Sequence, residues 1–143
     1  MRFETSIAID APPDQVWSVL TDVERWPEWT ASMTSVERLD EGPFAVGSSA
    51  RVRQPKFPAA VWEVVDLEPG RSFVWTAKAP GTTATAEHRL TTQPGGGVEL
   101  TLSIRQAGVL APLVGLFAAR TTRRYVRLEA EGLKRRCEDP AGH

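Results

Sequence analysis

"LAPLVGLFAARTTRRYVRLEAEGLKRR", residues 110–136, decides the fold. Leu110, Val114, Phe117, Thr121, Tyr125 and Leu128 recur at steps of three and four, the spacing of one helical face. Strong breakers are few after Pro112, so one long helix from about 110 to 136 is expected. Arg120, Arg123, Arg124 and Arg127 form a second stripe on a different face, and Lys134, Arg135 and Arg136 lie beyond it. Such a stripe reads first as a solvated face, with Glu129, Glu131 and Glu138 close enough to pair with it. A contact with nucleic acid or an acidic partner is the sharper reading. The apolar face of so long a helix needs a large surface to cover.

That surface lies upstream. Turn signals punctuate the chain at "DEGP" (40–43), "PKFP" (55–58), "EPG" (68–70), "APG" (79–81) and "PGGG" (94–97). The segments between them have strand length and are rich in Val, Thr, Trp and Phe, which predicts six strands in an antiparallel meander. Residues 2–10 alternate, with Phe3, Thr5, Ile7 and Ile9 on one face, and supply a seventh. "APPDQVWSVL" (11–20) predicts a short helix over 13–21, with proline tolerated in its first turn and Asp14 favourable there. Pro27 prevents "DVERWPEWT" (22–30) from being one long helix. The fold class is therefore α+β: a curved seven-stranded antiparallel sheet around a long C-terminal helix, with one or two short helices after the first strand.

The remaining features set bounds. The 143 residues make one domain, expected over 1–137, with a flexible tail over 138–143. A formal net charge of −1 gives no bulk electrostatic argument for nucleic acid or an anionic membrane. The single cysteine, Cys137, excludes an intrachain disulfide and points to a reducing, cytoplasmic setting. The longest apolar run, 108–119, is too short to span a bilayer, so no integral membrane association is expected. Two histidines, one of them terminal, argue against a metal site, and no cofactor is expected.

Strand alternation sorts the inward side chains. Val98, Leu100, Leu102 and Ile104 face in; so do Ala84, Ala86, His88 and Leu90, then Phe73, Trp75 and Ala77, then Ala50, Val52 and Gln54. Residues 60–67 carry apolar side chains on both parities; Trp62 and Val64 are taken as inward. Only Thr5, Gln54 and His88 break an otherwise apolar inner surface. That inventory suits a small-molecule pocket, and equally a core with three satisfied polar groups.

The order of elements and several local patterns resemble the SRPBCC or START-like superfamily, which includes polyketide cyclase/dehydrase-like proteins. The resemblance rests on "IDAPPDQVWSVLTDVERWPEW" (9–29), "VG" (46–47), "WEVVDLEPGRSFVW" (62–75), "AEHRLT" (86–91) and the long final helix, and spans nearly the whole chain. It implies a helix-grip fold with a deep cavity between sheet and helix, of the kind that holds lipids, polyketides or other apolar molecules. It implies a pocket rather than a reaction. It also places the Trp26–Trp29 segment near the cavity mouth, with Trp29 turned to the ligand and Trp26 structural.

The expected ligand-facing set is Trp29, Met33, Val52, Gln54, Trp62, Trp75, His88, Leu102, Val114 and Phe117. His88 is the one candidate for proton transfer; its plainer reading is a hydrogen-bonded core histidine. No carboxylate falls on the inner parity of the clear strands, so no catalytic set assembles around it. The segment 108–120 is the buried start of the long helix, or forms a lid hinged at Gly108 and Pro112. Three functions stay open. The first is binding of a small hydrophobic molecule by a monomer or homodimer; the second is a polyketide cyclase/dehydratase-type enzyme. The third is an interaction protein whose cavity is filled by its own tryptophans.

Overall fold

Seven strands pair edge to edge in the computed structural model, which describes residues 2–139. In chain order they are β1 (Arg2–Ile9), β2 (Ser35–Arg38), β3 (Ser49–Gln54), β4 (Phe57–Glu68), β5 (Ser72–Ala79), β6 (Thr82–Thr92) and β7 (Val98–Ala107). Helix α1 (Pro13–Thr21) and a 3-10 segment, Val23–Glu28, follow β1, and helix α2 (Ala111–Glu138) closes the chain. The spatial order is β1-β7-β6-β5-β4-β3-β2, antiparallel throughout. This is the curved sheet around a C-terminal helix that the sequence predicts.

Two irregularities help bend the sheet. The register shifts between Val52 and Gln54 where β3 meets β4, and between Val64 and Asp66 where β4 meets β5. An extra residue in one strand of a pair kinks that strand and reverses its side-chain parity. The second shift explains why 60–67 looks apolar on both faces. Trp62 and Val64 face inward before it, and Leu67, opposite Phe73, packs on the core after it. Val61 and Val65 are exposed.

α1 buries Val16 and Leu20, one turn apart, against the sheet. The last carbonyls of a helix need outside donors. Trp26 Nε1–H donates to the Leu20 carbonyl at 2.9 Å and so ties the 3-10 segment to α1. Beyond it, Gly132 of α2 passes so close to the Trp29 backbone that a β-carbon there would overlap the Trp29 carbonyl oxygen.

α2 is clamped at one end only. Near its C-terminus Lys134 Nζ donates to the Ala8 carbonyl (2.8 Å), the Asp10 N–H donates to Glu138 (2.7 Å), and Arg136 pairs with Glu28 (2.8 Å). These contacts carry the helix two residues past its expected end at 136. Of the tail expected from 138, Glu138 lies in the helix, and residues 140–143 fall outside the described residues. At the other end the Leu110 N–H donates to the Gly81 carbonyl (2.9 Å), and the buried start expected over 108–120 is corrected: most large side chains of these turns point to solvent, because no element packs over their outer face.

One expected face of α2 is corrected. Phe117 is 79% exposed and does not look inward; Val114, Ala118, Thr122, Tyr125, Val126 and Glu129 do. At 100° per residue, Phe117 lies roughly 100° from Ala118 and 60° from Val114. The expected stripe followed the largest apolar residues. The helix instead takes its phase from Ala130, Gly132, Leu133 and Cys137, buried at the clamped end.

Candidate functional site

The sheet and α2 do not meet everywhere. α2 packs on β1 and β7, and a cavity of about 220 Å³ remains between it and the curl of β3–β6. Its floor is aromatic: Trp26 from the 3-10 segment, Trp75 from β5 and Trp62 from β4. Its walls are small, because Ala60, Ala77, Ala84 and Ala86 face Ala118 and Thr122 of α2. Alanines opposite alanine and threonine leave space that larger side chains would close. The exposed lining residues Pro58, Lys78 and Ala79 mark the mouth, at the unclamped end of α2. Tyr125 steadies one side of it: its hydroxyl accepts the Lys56 N–H (3.1 Å), and its ring meets Phe57 edge-on at 5.5 Å.

Of the side chains expected to face a ligand, Met33, Gln54, Trp62, Trp75, His88, Leu102 and Val114 line this cavity. Val52 is buried in the core between Val36 and Ala60 of its neighbouring strands and is not part of the cavity lining. Phe117 is on the surface. The two tryptophans of "RWPEWT" exchange their expected places. Trp26 lines the cavity, with Trp75 at 5.3 Å and His88 at 5.6 Å between ring centroids. Trp29 is 8% exposed, packs beside Trp26 and lies against α2 at Gly132, and its Nε1 has no hydrogen-bond partner. The reason is the Trp26 bond to Leu20, which turns that indole under the sheet.

His88 sits in the aromatic floor. Its ring stacks on Phe73, 4.1 Å between centroids and 9° from parallel, and it is 3% exposed. Burial drives its pKa down to about 3, against an opposing pull from the Phe73 backbone. It is neutral at pH 7, and Nδ1 is buried without a partner. The plainer expectation is a hydrogen-bonded core histidine; the ring is buried and engages the Phe73 backbone, while Nδ1 has no partner.

Glu129 is the residue that sequence reasoning missed. Its spacing pairs it with the arginine stripe, yet it lines the cavity and makes no ion pair or hydrogen bond among the described residues. Burial raises its carboxyl to a pKa of about 8. It is mostly protonated at pH 7, able both to donate and to accept a hydrogen bond. The signal was present: residues 118, 122, 125 and 129 recur at four- and three-residue steps. The cavity therefore holds a neutral carboxylic acid and a neutral imidazole in apolar surroundings. Among the described residues no three or more His, Cys, Asp or Glu side chains group as a metal site would require.

Comparison with known proteins agrees with this geometry. The family model for polyketide cyclase / dehydrase and lipid transport matches residues 1–138. An uncharacterized protein of Mycobacterium tuberculosis is 24% identical over 120 residues, covering 80% of this chain and 72% of its own. A START superfamily protein from Mycobacterium smegmatis superposes with a TM-score of 0.75 at 14% identity, covering 96% of this chain and 97% of that one. The Zhui aromatase/cyclase from Streptomyces sp. R1128 superposes with a TM-score of 0.70 at 22% identity, covering 100% and 99%. At these identities the two superpositions speak for the helix-grip fold alone.

Proposed function

This chain belongs to the polyketide cyclase / dehydrase and lipid transport family, and from that premise we propose that its cavity binds a small apolar molecule bearing a carbonyl or hydroxyl group. One observation carries the reading: a space of about 220 Å³, floored by three tryptophans, is left open at one end of the molecule. An apolar cavity of roughly 150 Å³ is enough to hold benzene. The space here suits a body of one or two rings, or the end of a longer chain that protrudes through the mouth. The tryptophans leave it unfilled, which argues against an interaction protein with a plugged interior. Glu129 in its protonated form, with Gln54 beside the same space, would orient the oxygen of the ligand.

A second reading, a cyclase/dehydratase-type enzyme, draws on Glu129 and His88 together. A carboxylic acid held protonated to about pH 8 could serve as a general acid toward a ligand oxygen, whereas an imidazole pushed down to about 3 is too weak a base to take that proton and would serve only as a neutral hydrogen-bonding group. The size of the cavity weighs against folding a long reactive chain inside it.

The experiment is a titration of the protein with a neutral naphthalene dye, followed by tryptophan fluorescence. Saturable quenching is expected, because Trp26, Trp62 and Trp75 all line the space. Ala84→Leu, which fills the space from the β6 wall, should abolish it while leaving the protein folded. Quenching that never saturates, or that survives Ala84→Leu unchanged, would refute binding in this cavity. Turnover of a keto substrate that Glu129→Gln removes without weakening dye binding would favour the enzyme.

A further inference from the structure

We propose that the open end of the cavity is a docking face for an anionic lipid bilayer, with the exposed apolar turns at the start of α2 entering the headgroup layer and Lys56, Arg120 and Arg124 holding lipid phosphates beside them. The inference does not depend on what the cavity binds.

Among the exposed large apolar residues, five fall within nine consecutive positions: Val109 (88% exposed), Leu110, Leu113, Leu116 (76%) and Phe117. Scattered surface apolar residues need no explanation; a contiguous patch does. Leu113, Leu116 and Phe117 share the outward face of α2 with Arg120, Arg123, Arg124 and Arg127 of the next turns. The result is an apolar tip followed by a cationic collar along one helix face. Arg120 and Arg124 also join Lys56 of the β3–β4 turn in lining a second cleft of about 240 Å³, whose walls contain no carboxylate.

The charge is unbalanced there by construction. Residues 50–62, 69–86 and 100–128 contain no Asp or Glu. The antiparallel order brings the β3–β4 turn, the β5–β6 turn and the start of α2 to one end of the sheet. The net charge of −1 hides this segregation. The ion pairs among the described residues leave out Lys56, Arg120, Arg123, Arg124 and Arg127; the guanidinium groups of Arg123 and Arg127 lie over the Phe3 ring, at 5.9 and 5.5 Å from its centroid. Apolar side chains beside unpaired cations complement an anionic lipid surface. A second copy of the chain fits less well, since its apolar turns could cover these but its arginines would bring no anionic partner to the collar, which lipid phosphates supply. No helix among the described residues is long and apolar enough to cross a membrane, so the contact is peripheral.

The test is cosedimentation of the full chain with vesicles of phosphatidylcholine alone and of phosphatidylcholine mixed with phosphatidylglycerol, at low and high salt. Partition into the mixed vesicles should exceed that into the neutral ones by roughly tenfold or more and collapse in high salt. Leu116→Ser with Phe117→Ser, and separately Arg120→Gln with Arg124→Gln, should each lower it roughly tenfold. Unchanged melting temperature and dye saturation in these variants would show that fold and cavity are intact. Equal partition into both vesicle types, none into either, or insensitivity to the paired substitutions would overturn the proposal. So would a concentration-dependent dimer that the Leu116/Phe117 pair dissolves. Vesicle binding that persists when dye binding fails would sink the cavity reading and leave this one standing.

Discussion

Replacing Glu129 by glutamine should change how stability depends on pH, with a sign and a window set by the cavity. The unfolded chain loses the carboxyl proton near 4.5, and the folded chain holds it to about 8. Between those values the unfolded state binds fewer protons than the folded one, so stability falls as pH rises through the window. Below 4.5 both states are protonated and the penalty is absent; above 8 it is complete. One pKa unit corresponds to about 1.4 kcal/mol, so the full penalty is on the order of 5 kcal/mol. Water reaching the carboxyl through the open mouth lowers the effective value, and a change of about 2 kcal/mol or more between pH 5 and pH 8 is expected. Glutamine keeps the shape and cannot ionise. Urea unfolding of both proteins at pH 5, 6, 7 and 8, at fixed ionic strength, should show wild type losing that amount relative to Glu129→Gln. His88 titrates in both proteins, and its contribution cancels in the difference. Parallel stability curves across the window, or a Glu129 carboxyl carbon signal titrating near pH 4.5, would refute the placement of this side chain in the desolvated wall of the cavity.

Two further outcomes test the framework around the site. Gly132→Ala should destabilise the protein by about 2 kcal/mol or more despite alanine's better helix propensity, because its β-carbon would overlap the Trp29 carbonyl; thermal unfolding measures it, and a gain in stability would contradict the close approach. His88→Phe should flatten the acid limb of the stability profile: a histidine with its pKa lowered from 6.5 to about 3 contributes stability above pH 6.5 that is lost as pH falls through that range, and phenylalanine can keep the stack on Phe73. Melting temperatures from pH 7 to pH 3 check this, and an unchanged limb would show that His88 is not held neutral by burial.

The fold was legible because each of its signals is local. Turn residues at 40–43, 55–58, 68–70, 79–81 and 94–97 separate strands that alternate, and nothing else in the chain could cover the face they build. The inward parity of β5, β6 and β7 was legible for the same reason, and it delivered Trp75, His88 and Leu102 to the cavity wall. The helical side of the site was not. Hydrophobicity is a sound guide to phase only where a helix face packs against something. The start of α2 packs against little, so its large apolar side chains at 113, 116 and 117 are the exposed ones. The apolar stripe supplied Val114 and Tyr125 to the face looking into the cavity, but Ala118, Thr122 and Glu129 complete it, and the stripe of large apolar residues does not select them.

A cavity reverses the usual relation between side-chain size and burial, and the reversal explains at once why Phe117 lies outside and Glu129 inside. Where a core is filled, large apolar residues point inward and small ones are incidental. Where space must be kept, the small residues define the interior and the large ones are displaced to its rim. The alanines at 60, 77, 84, 86 and 118 were therefore the informative residues of this sequence. Four of them sit on strands whose inward parity also carries tryptophan or histidine: Trp62 beside Ala60, Trp75 beside Ala77, and His88 beside Ala86 and Ala84. Small residues alternating with large rings on one face of a strand leave a step in the sheet surface, and a straight helix laid across that step cannot touch both levels. The gap beneath α2 follows from that mismatch. The same mismatch places a carboxyl group, Glu129, on the cavity wall, half-buried and without an ion-pair partner among the described residues.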